Sequence, residues 1–123
     1  MDNEKLNLRT LTKGRVNLFF GKKEPISGIY VITDSENNPI YVGRSRHLAQ
    51  RIGDDHRSTQ VSQANLTLKY ARLNNISIVD ARKYMYENYL VQMIEVENEY
   101  ARTLLEVYVA MKLNTPFNSF RET

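Results

Sequence analysis

Two short runs of β-branched and aromatic residues constrain this chain more than any other feature. Gly28-Ile29-Tyr30-Val31-Ile32-Thr33 and Ile40-Tyr41-Val42-Gly43 are separated only by Asp34-Ser35-Glu36-Asn37-Asn38-Pro39, a stretch of turn formers. Runs of this kind, so close together, pair as a β-hairpin. With a turn of two or four residues, each cross-strand pair joins an even position to an odd one. Side chains alternate between the faces of a strand. Ile29, Val31, Ile40 and Val42 then share one face, expected to meet the core. Tyr30, Ile32, Tyr41 and Gly43 share the other, which sets two phenols beside a residue with no side chain.

Helices follow the hairpin. Ser45 is an N-cap candidate, and Leu48 and Ile52 lie four apart, facing inward. His47, Arg51 and Asp55 form a polar stripe beside them. Val61, Ala64, Leu68 and Ala71 predict a second helix over 61–73, and a short third helix is expected over 78–87. Residues 89–96 read as a buried strand. Glu97 or Asn98 then opens the longest helix, which ends near Leu113 before Asn114-Thr115-Pro116. The order is β-β-α-α-α-β-α, a mixed α/β (α+β) arrangement with a small three-stranded sheet flanked by helices. Residues 1–27 read as an N-terminal extension. Within it Val16, Leu18 and Phe20 alternate with Asn17 and Phe19 and point to a short strand.

Composition narrows the function. The 123 residues suit one domain and hold 41% hydrophobic and 25% charged residues, a globular mix. The longest apolar run covers five residues, 107–111, against the roughly 20 that a membrane helix requires. The absence of cysteine removes disulfides, thiolate metal sites and a thiol nucleophile, and fits a reducing, cytoplasmic setting. Two histidines, His47 and His56, are too few for a multi-histidine metal centre. The net charge of +3 resides in residues 1–57, while 58–123 balance. That excess is compatible with a nucleic-acid partner and equally with a solvated surface.

One carboxylate stands out. From Leu104 to Met111 the last helix reads Leu-Leu-Glu-Val-Tyr-Val-Ala-Met, and Glu106 is the only charge in that stretch. A helix so apolar is expected to be mostly buried. A buried carboxylate needs a cation. Arg102, four residues earlier, would supply a local ion pair. The alternative is a metal ligand or a catalytic acid.

With these residues in place, the chain resembles the GIY-YIG nucleases. Gly28-Ile29-Tyr30, ten intervening residues and Tyr41-Val42-Gly43 match the paired signature. Ser45, Leu48 and Arg51 match the pattern after the second triplet, and Glu106 and Asn118 match the late helix glutamate and the asparagine beyond it. The resemblance covers about 26–120, and 28–120 is the expected extent of the nuclease domain. It implies metal-dependent hydrolysis of a DNA phosphodiester. Glu106 would hold one magnesium or manganese ion, a hard cation suited to a carboxylate, water and phosphate oxygens. Arg51 would grip the scissile phosphate with its planar fork. Tyr30 would activate the attacking water if nearby cations favour its phenolate, and Tyr41 would assist and bond the phosphate. Gly43 would leave space for that phosphate, Arg44 and Ser45 would contact the substrate, and Asn118 would brace the site.

The chain also departs from the family pattern. Members often carry a histidine one helical turn after the arginine. Here Asp55 stands four residues after Arg51 and His56 five. Arg44 occupies a position where many members have a small or polar residue. Family members with homing or repair roles usually append DNA-reading domains; none is expected within these 123 residues, which suit a stand-alone nuclease, a compact restriction-like enzyme or a fragment of a longer protein. Two cuts across a duplex would suit a homodimer. The competing reading is a non-cleaving DNA-binding module on the same fold.

Overall fold

A computed structural model describes residues 4–53 and 65–115. The elements run β1 (Leu6–Asn7), a 3-10 turn (Leu8–Thr10), α1 (Lys13–Phe20), β2 (Gly28–Thr33), β3 (Pro39–Ser45), α2 (Leu48–Gly53), α3 (Asn65–Asn74), α4 (Ile78–Asn88), β4 (Leu90–Glu95) and α5 (Glu99–Leu113). The strands form one antiparallel sheet in the order β1-β4-β2-β3. It therefore has four strands rather than three. The fourth is the two-residue β1, which pairs Leu6 with Val91 and Asn7 with Leu90. Two residues are too short a run to carry a strand pattern of their own. No helix among the described residues is long and apolar enough to cross a membrane.

The strand expected over 16–20 is instead part of α1. Five alternating residues fit either period, and the ends decide. The Thr12 side chain accepts the Arg15 N–H at 3.3 Å, and Gly21 closes the helix in the left-handed region at φ 69°. Val16 is buried and Leu18 exposed, as on opposite sides of a helix.

The hairpin pairs as expected across its body, for a reason the sequence conceals. Its loop has three residues, not two or four. Asp34 N–H donates to Asn38 O, Asn37 N–H donates to Asp34 O, and Asn37 adopts φ 66°. The Asp34 carboxylate also accepts the Glu36 and Asn38 N–H groups, each at 2.9 Å. The register then shifts by one residue between Ile32 and Thr33, so that Thr33 faces Pro39 and Ile32 faces Tyr41. This bulge restores the even-to-odd pairing. Tyr30 lies opposite Gly43 and Val31 opposite Val42. Ile40 is the extra residue, and it joins the core with Tyr30 and Ile32 instead of siding with Val42.

Both faces of the sheet are covered. The face of Tyr30, Ile32, Val91 and Met93 carries the main core, with Leu8, Leu11, Val16, Leu48, Ile52 and Met85 from the surrounding helices and the N-terminal segment. The Ile29 face is buried as expected, with Ile29 and Val42 in the core, but the larger cluster lies on the Tyr30 face. The N-terminal extension is a structural part of this core. The opposite face, with Ile29, Val31 and Ile94, meets Leu105 and Val109 of α5. That helix is not buried all round. Arg102, Glu106 and Ala110 are buried, whereas Tyr100, Leu104, Tyr108 and Met111 are exposed. A helix laid over a sheet buries one stripe against it, however apolar the rest of its surface.

The other expected elements hold within the described residues. Helix α4 opens on Ser77, whose hydroxyl accepts the Asp80 N–H at 3.0 Å. Helix α5 opens on Asn98, whose carbonyl accepts the Ala101 N–H at 2.9 Å, and closes on Asn114 at φ 53°. In the helix expected over 61–73, Val61 and Ala64 lie outside the described residues, and Ala71 is buried. Tyr70, Tyr84 and Tyr89 pack on one another, Tyr70 and Tyr84 stacked at 5.4 Å.

Candidate active site at the edge of the sheet

Strand β3 is the outer strand, and the candidate residues gather along it. The arrangement starts with Gly43. A Cβ at this position would fall inside the Tyr30 phenol, with the ring Cε1 only 2.6 Å away. Glycine therefore lets the Tyr30 ring lie across β3 with its hydroxyl toward the sheet edge. The room expected for a phosphate at Gly43 is occupied by this ring. The Tyr41 ring lies 6.1 Å from that of Tyr30, centroid to centroid.

The two phenols share a hydrogen bond. Tyr30 is only 1% exposed. Burial, and then the neighbouring Tyr41, push its pKa well above the usual phenol value, while Arg51 opposes. Tyr41 is also pushed up, by burial first and Glu106 second, but Arg51 and the hydrogen bond with Tyr30 pull the other way. Both are neutral phenols at pH 7.

Glu106 approaches from α5 on the other face. Its carboxylate accepts a hydrogen bond from the Arg44 guanidinium at 2.9 Å and another from the Arg44 backbone N–H. An edge strand has main-chain donors to spare, and this one is used to hold the carboxylate. Burial raises the Glu106 pKa in spite of Arg44, with Arg51 adding a smaller opposing pull. The local partner expected from helical spacing is not used. Arg102 is buried, but its guanidinium donates to the carbonyls of Val96 and Glu97, at 3.1 and 2.9 Å. Those bonds tie α5 to the loop before it.

Arg51, on α2, lines the cleft beside Arg44, and its charge opposes the upward pKa shifts of Tyr30, Tyr41 and Glu106. Helix α2 is set from two directions. Ser45 accepts the His47 N–H at 2.9 Å, just before the helix instead of as its cap. Glu24, from the N-terminal extension, accepts the Ile26 N–H at 2.7 Å and the Gln50 N–H at 3.1 Å. A carboxylate on the first-turn Gln50 N–H of α2 complements the helix dipole. Glu24 was not singled out from sequence, because its partner lies 26 residues away.

Beside these groups opens a polar cleft of about 320 Å³. Arg44, Arg46, Arg51 and Arg102 line it with Ser45 and His47, and Glu99 is its acidic member. The basic run 44–47 is visible in the sequence. The contribution of Arg102 is not, since it depends on where α5 crosses the sheet.

A family model described as the GIY-YIG catalytic domain matches residues 26–114. The chain belongs to the GIY-YIG family. The fold of the described residues, an antiparallel sheet flanked by five helices, is that of the family with the short β1 added. No curated protein matches the chain, and no solved structure does. GIY-YIG domains are nuclease domains and generally depend on a divalent metal. Of the residues expected at a GIY-YIG site, the structure brings together Tyr30, Tyr41, Arg51, Glu106 and Gly43, with Arg44 and Ser45 at the adjoining cleft. His56, Asp55 and Asn118 lie outside the described residues.

The donor chemistry at Glu106 fits a hard divalent cation. A buried carboxylate is anchored by a main-chain N–H, and a cationic group already occupies one of its oxygens. Among the described residues no group of three or more His, Cys, Asp or Glu side chains is clustered for a metal. Such a site suits an ion that completes its shell with water and phosphate oxygens.

Proposed function

We propose that the protein is a DNA endonuclease that hydrolyses phosphodiester bonds with one magnesium or manganese ion held by Glu106. The observation that carries this reading is the convergence at the β3 edge of two hydrogen-bonded phenols, the Arg51 guanidinium and a buried carboxylate, beside an arginine-lined cleft. A scissile phosphate carries negative charge and gathers more in the transition state. Arg51 matches two of its oxygens with a planar fork, which a lysine would not do. The cleft arginines meet flanking phosphates and set the strand's direction, without reading sequence. When bound, the ion would neutralise phosphate charge and lower the pKa of a water molecule.

The tyrosines divide the remaining work. Burial holds the proton on Tyr30 most firmly, so Tyr30 acts as a donor that fixes and polarises Tyr41. Tyr41, less enclosed and accepting that bond, has the hydroxyl oxygen that meets the attacking water or the phosphate. This exchanges the roles first expected of the pair. Asn118 and His56 remain candidates for bracing the site and for proton transfer, on the strength of their sequence positions.

Nicking of supercoiled plasmid in magnesium or manganese tests the reading. Cleavage should vanish in excess chelator and return when metal is restored. Undiminished cleavage in chelator would overturn the metal role. Tight, salt-sensitive DNA binding with no cleavage in either metal would favour the non-cleaving module instead.

A further inference from the structure

We propose that Arg44 is a displaceable latch on Glu106, which makes binding of a divalent cation and of a nucleic-acid phosphate mutually dependent. The proposal rests on the reading of Glu106 as the metal ligand. The Arg44 guanidinium donates to a carboxylate oxygen at 2.9 Å. A divalent cation coordinated by that carboxylate would sit within a few ångströms of the guanidinium. Two like charges so close in a half-buried site repel strongly. The carboxylate has a second oxygen for the ion, but the two like charges compete for it, so metal entry favours departure of the guanidinium.

The geometry allows that departure. The Arg44 side chain is 47% exposed, whereas that of Glu106 is 11% exposed. The carboxylate is also held by the Arg44 backbone N–H, which stays in place when the side chain swings away. The ligand is thus anchored by the main chain and covered by the side chain of the same residue.

A destination for the guanidinium adjoins it. Arg44 also lines the cleft that contains Arg46, Arg51 and Arg102. In the free protein the guanidinium groups of Arg46, Arg51 and Arg102, only partly offset by Glu99, favour Arg44 on Glu106 over a position deeper in the cleft. A bound phosphate reverses the sign and gives Arg44 a charge-assisted partner there. Phosphate then takes the guanidinium, and the cation takes the carboxylate. Linkage requires reciprocity: nucleic acid raises metal affinity by the factor by which metal raises nucleic-acid affinity.

The test measures Mn²⁺ binding, by the electron spin resonance signal of the free ion, with no turnover involved. Wild type, Arg44→Ala, Arg44→Gln and Glu106→Gln are compared, with and without a duplex oligonucleotide made uncleavable by phosphorothioate linkages. Without DNA, Arg44→Ala should bind Mn²⁺ about tenfold or more tightly than wild type. The oligonucleotide should tighten Mn²⁺ binding about tenfold in wild type and less than threefold in Arg44→Ala. Arg44→Gln keeps the stem and a hydrogen-bond donor without the charge, and should follow Arg44→Ala. It also serves as the readout if the alanine variant melts early. Equal or weaker Mn²⁺ affinity in both Arg44 variants, with Glu106→Gln abolishing binding, would overturn the latch and leave the metal-ligand reading standing. Mn²⁺ binding that survives Glu106→Gln unchanged would overturn both.

Discussion

The two faces of the sheet are built on different principles. Under Tyr30 and Ile32 lies a closed apolar core, to which α1, α2, α4 and the N-terminal segment all contribute. Over Ile29 and Val31 lies helix α5, whose buried stripe holds two charges, Arg102 and Glu106. The first face produces stability and holds the phenols rigidly. The second gives up apolar packing to bring a carboxylate to the sheet edge. The functional groups meet where the faces meet, along β3. If this division is right, substitutions on the two faces should separate activity from stability.

The largest separation is expected at Glu106. Glu106→Gln should lower single-turnover cleavage by about 1,000-fold or more, equivalent to about 4 kcal/mol of transition-state stabilisation. Its melting without metal should stay within about 1 kcal/mol of wild type, since Arg44 is half exposed and is not stranded. The pH dependence gives a second reading. The folded-state pKa of Glu106 is raised, so its contribution favours folding below the unfolded value of 4.5 and is lost as pH rises through the folded pKa. The glutamine variant should lack that part of the pH profile. A strongly destabilised variant that still cuts at the wild-type rate would sink the ligand role.

The opposite pattern is expected in the core. Ile32 is fully buried, and Ile32→Ala should destabilise by about 3 kcal/mol in urea unfolding, mostly through the cavity it leaves. Activity per folded molecule should change little. An intact melt with lost cleavage would mean that the core face does more than support.

The phenols straddle the comparison, because they stand on the core face and act at the edge. Tyr41→Phe should reduce cleavage by about 100-fold. Tyr30→Phe should reduce it less, and the double variant should fall short of the product if the two hydroxyls act as one hydrogen-bonded unit. Single-turnover rates on one substrate decide the order. A Tyr30→Phe effect larger than that of Tyr41→Phe would restore water activation to Tyr30.

The smallest effect is expected at Glu24, which joins the core side to the site by holding α2. Glu24→Ala should cost about 1 kcal/mol of stability, as for loss of a helix cap. Its cleavage defect should be minor and be reversed by lowering the temperature. A melt identical to wild type would show that the cap contributes nothing to α2.

Much of this protein follows from local pattern. The hairpin, α4, β4 and α5 are readable because their periodicities, turn formers and caps sit within a few residues of one another. The pairing of Tyr30 with Gly43 was legible too, although it depends on two compensating irregularities. A three-residue loop and a one-residue bulge cancel in register, and only the odd placement of Ile40 betrays them. What the sequence left open concerns contacts that the chain makes with itself at a distance. Thr12 and Gly21 decide that 16–20 is helical, and β1 exists only because β4 offers it an edge. Glu106 shows the limit most clearly. Helical spacing offered it Arg102 four residues away, and the fold delivered Arg44 from 62 residues away. Charge type and local period are properties of a segment and can be read from it. Which opposite charge arrives first at a buried carboxylate depends on how helix and sheet cross, and that is decided only when the whole core has closed.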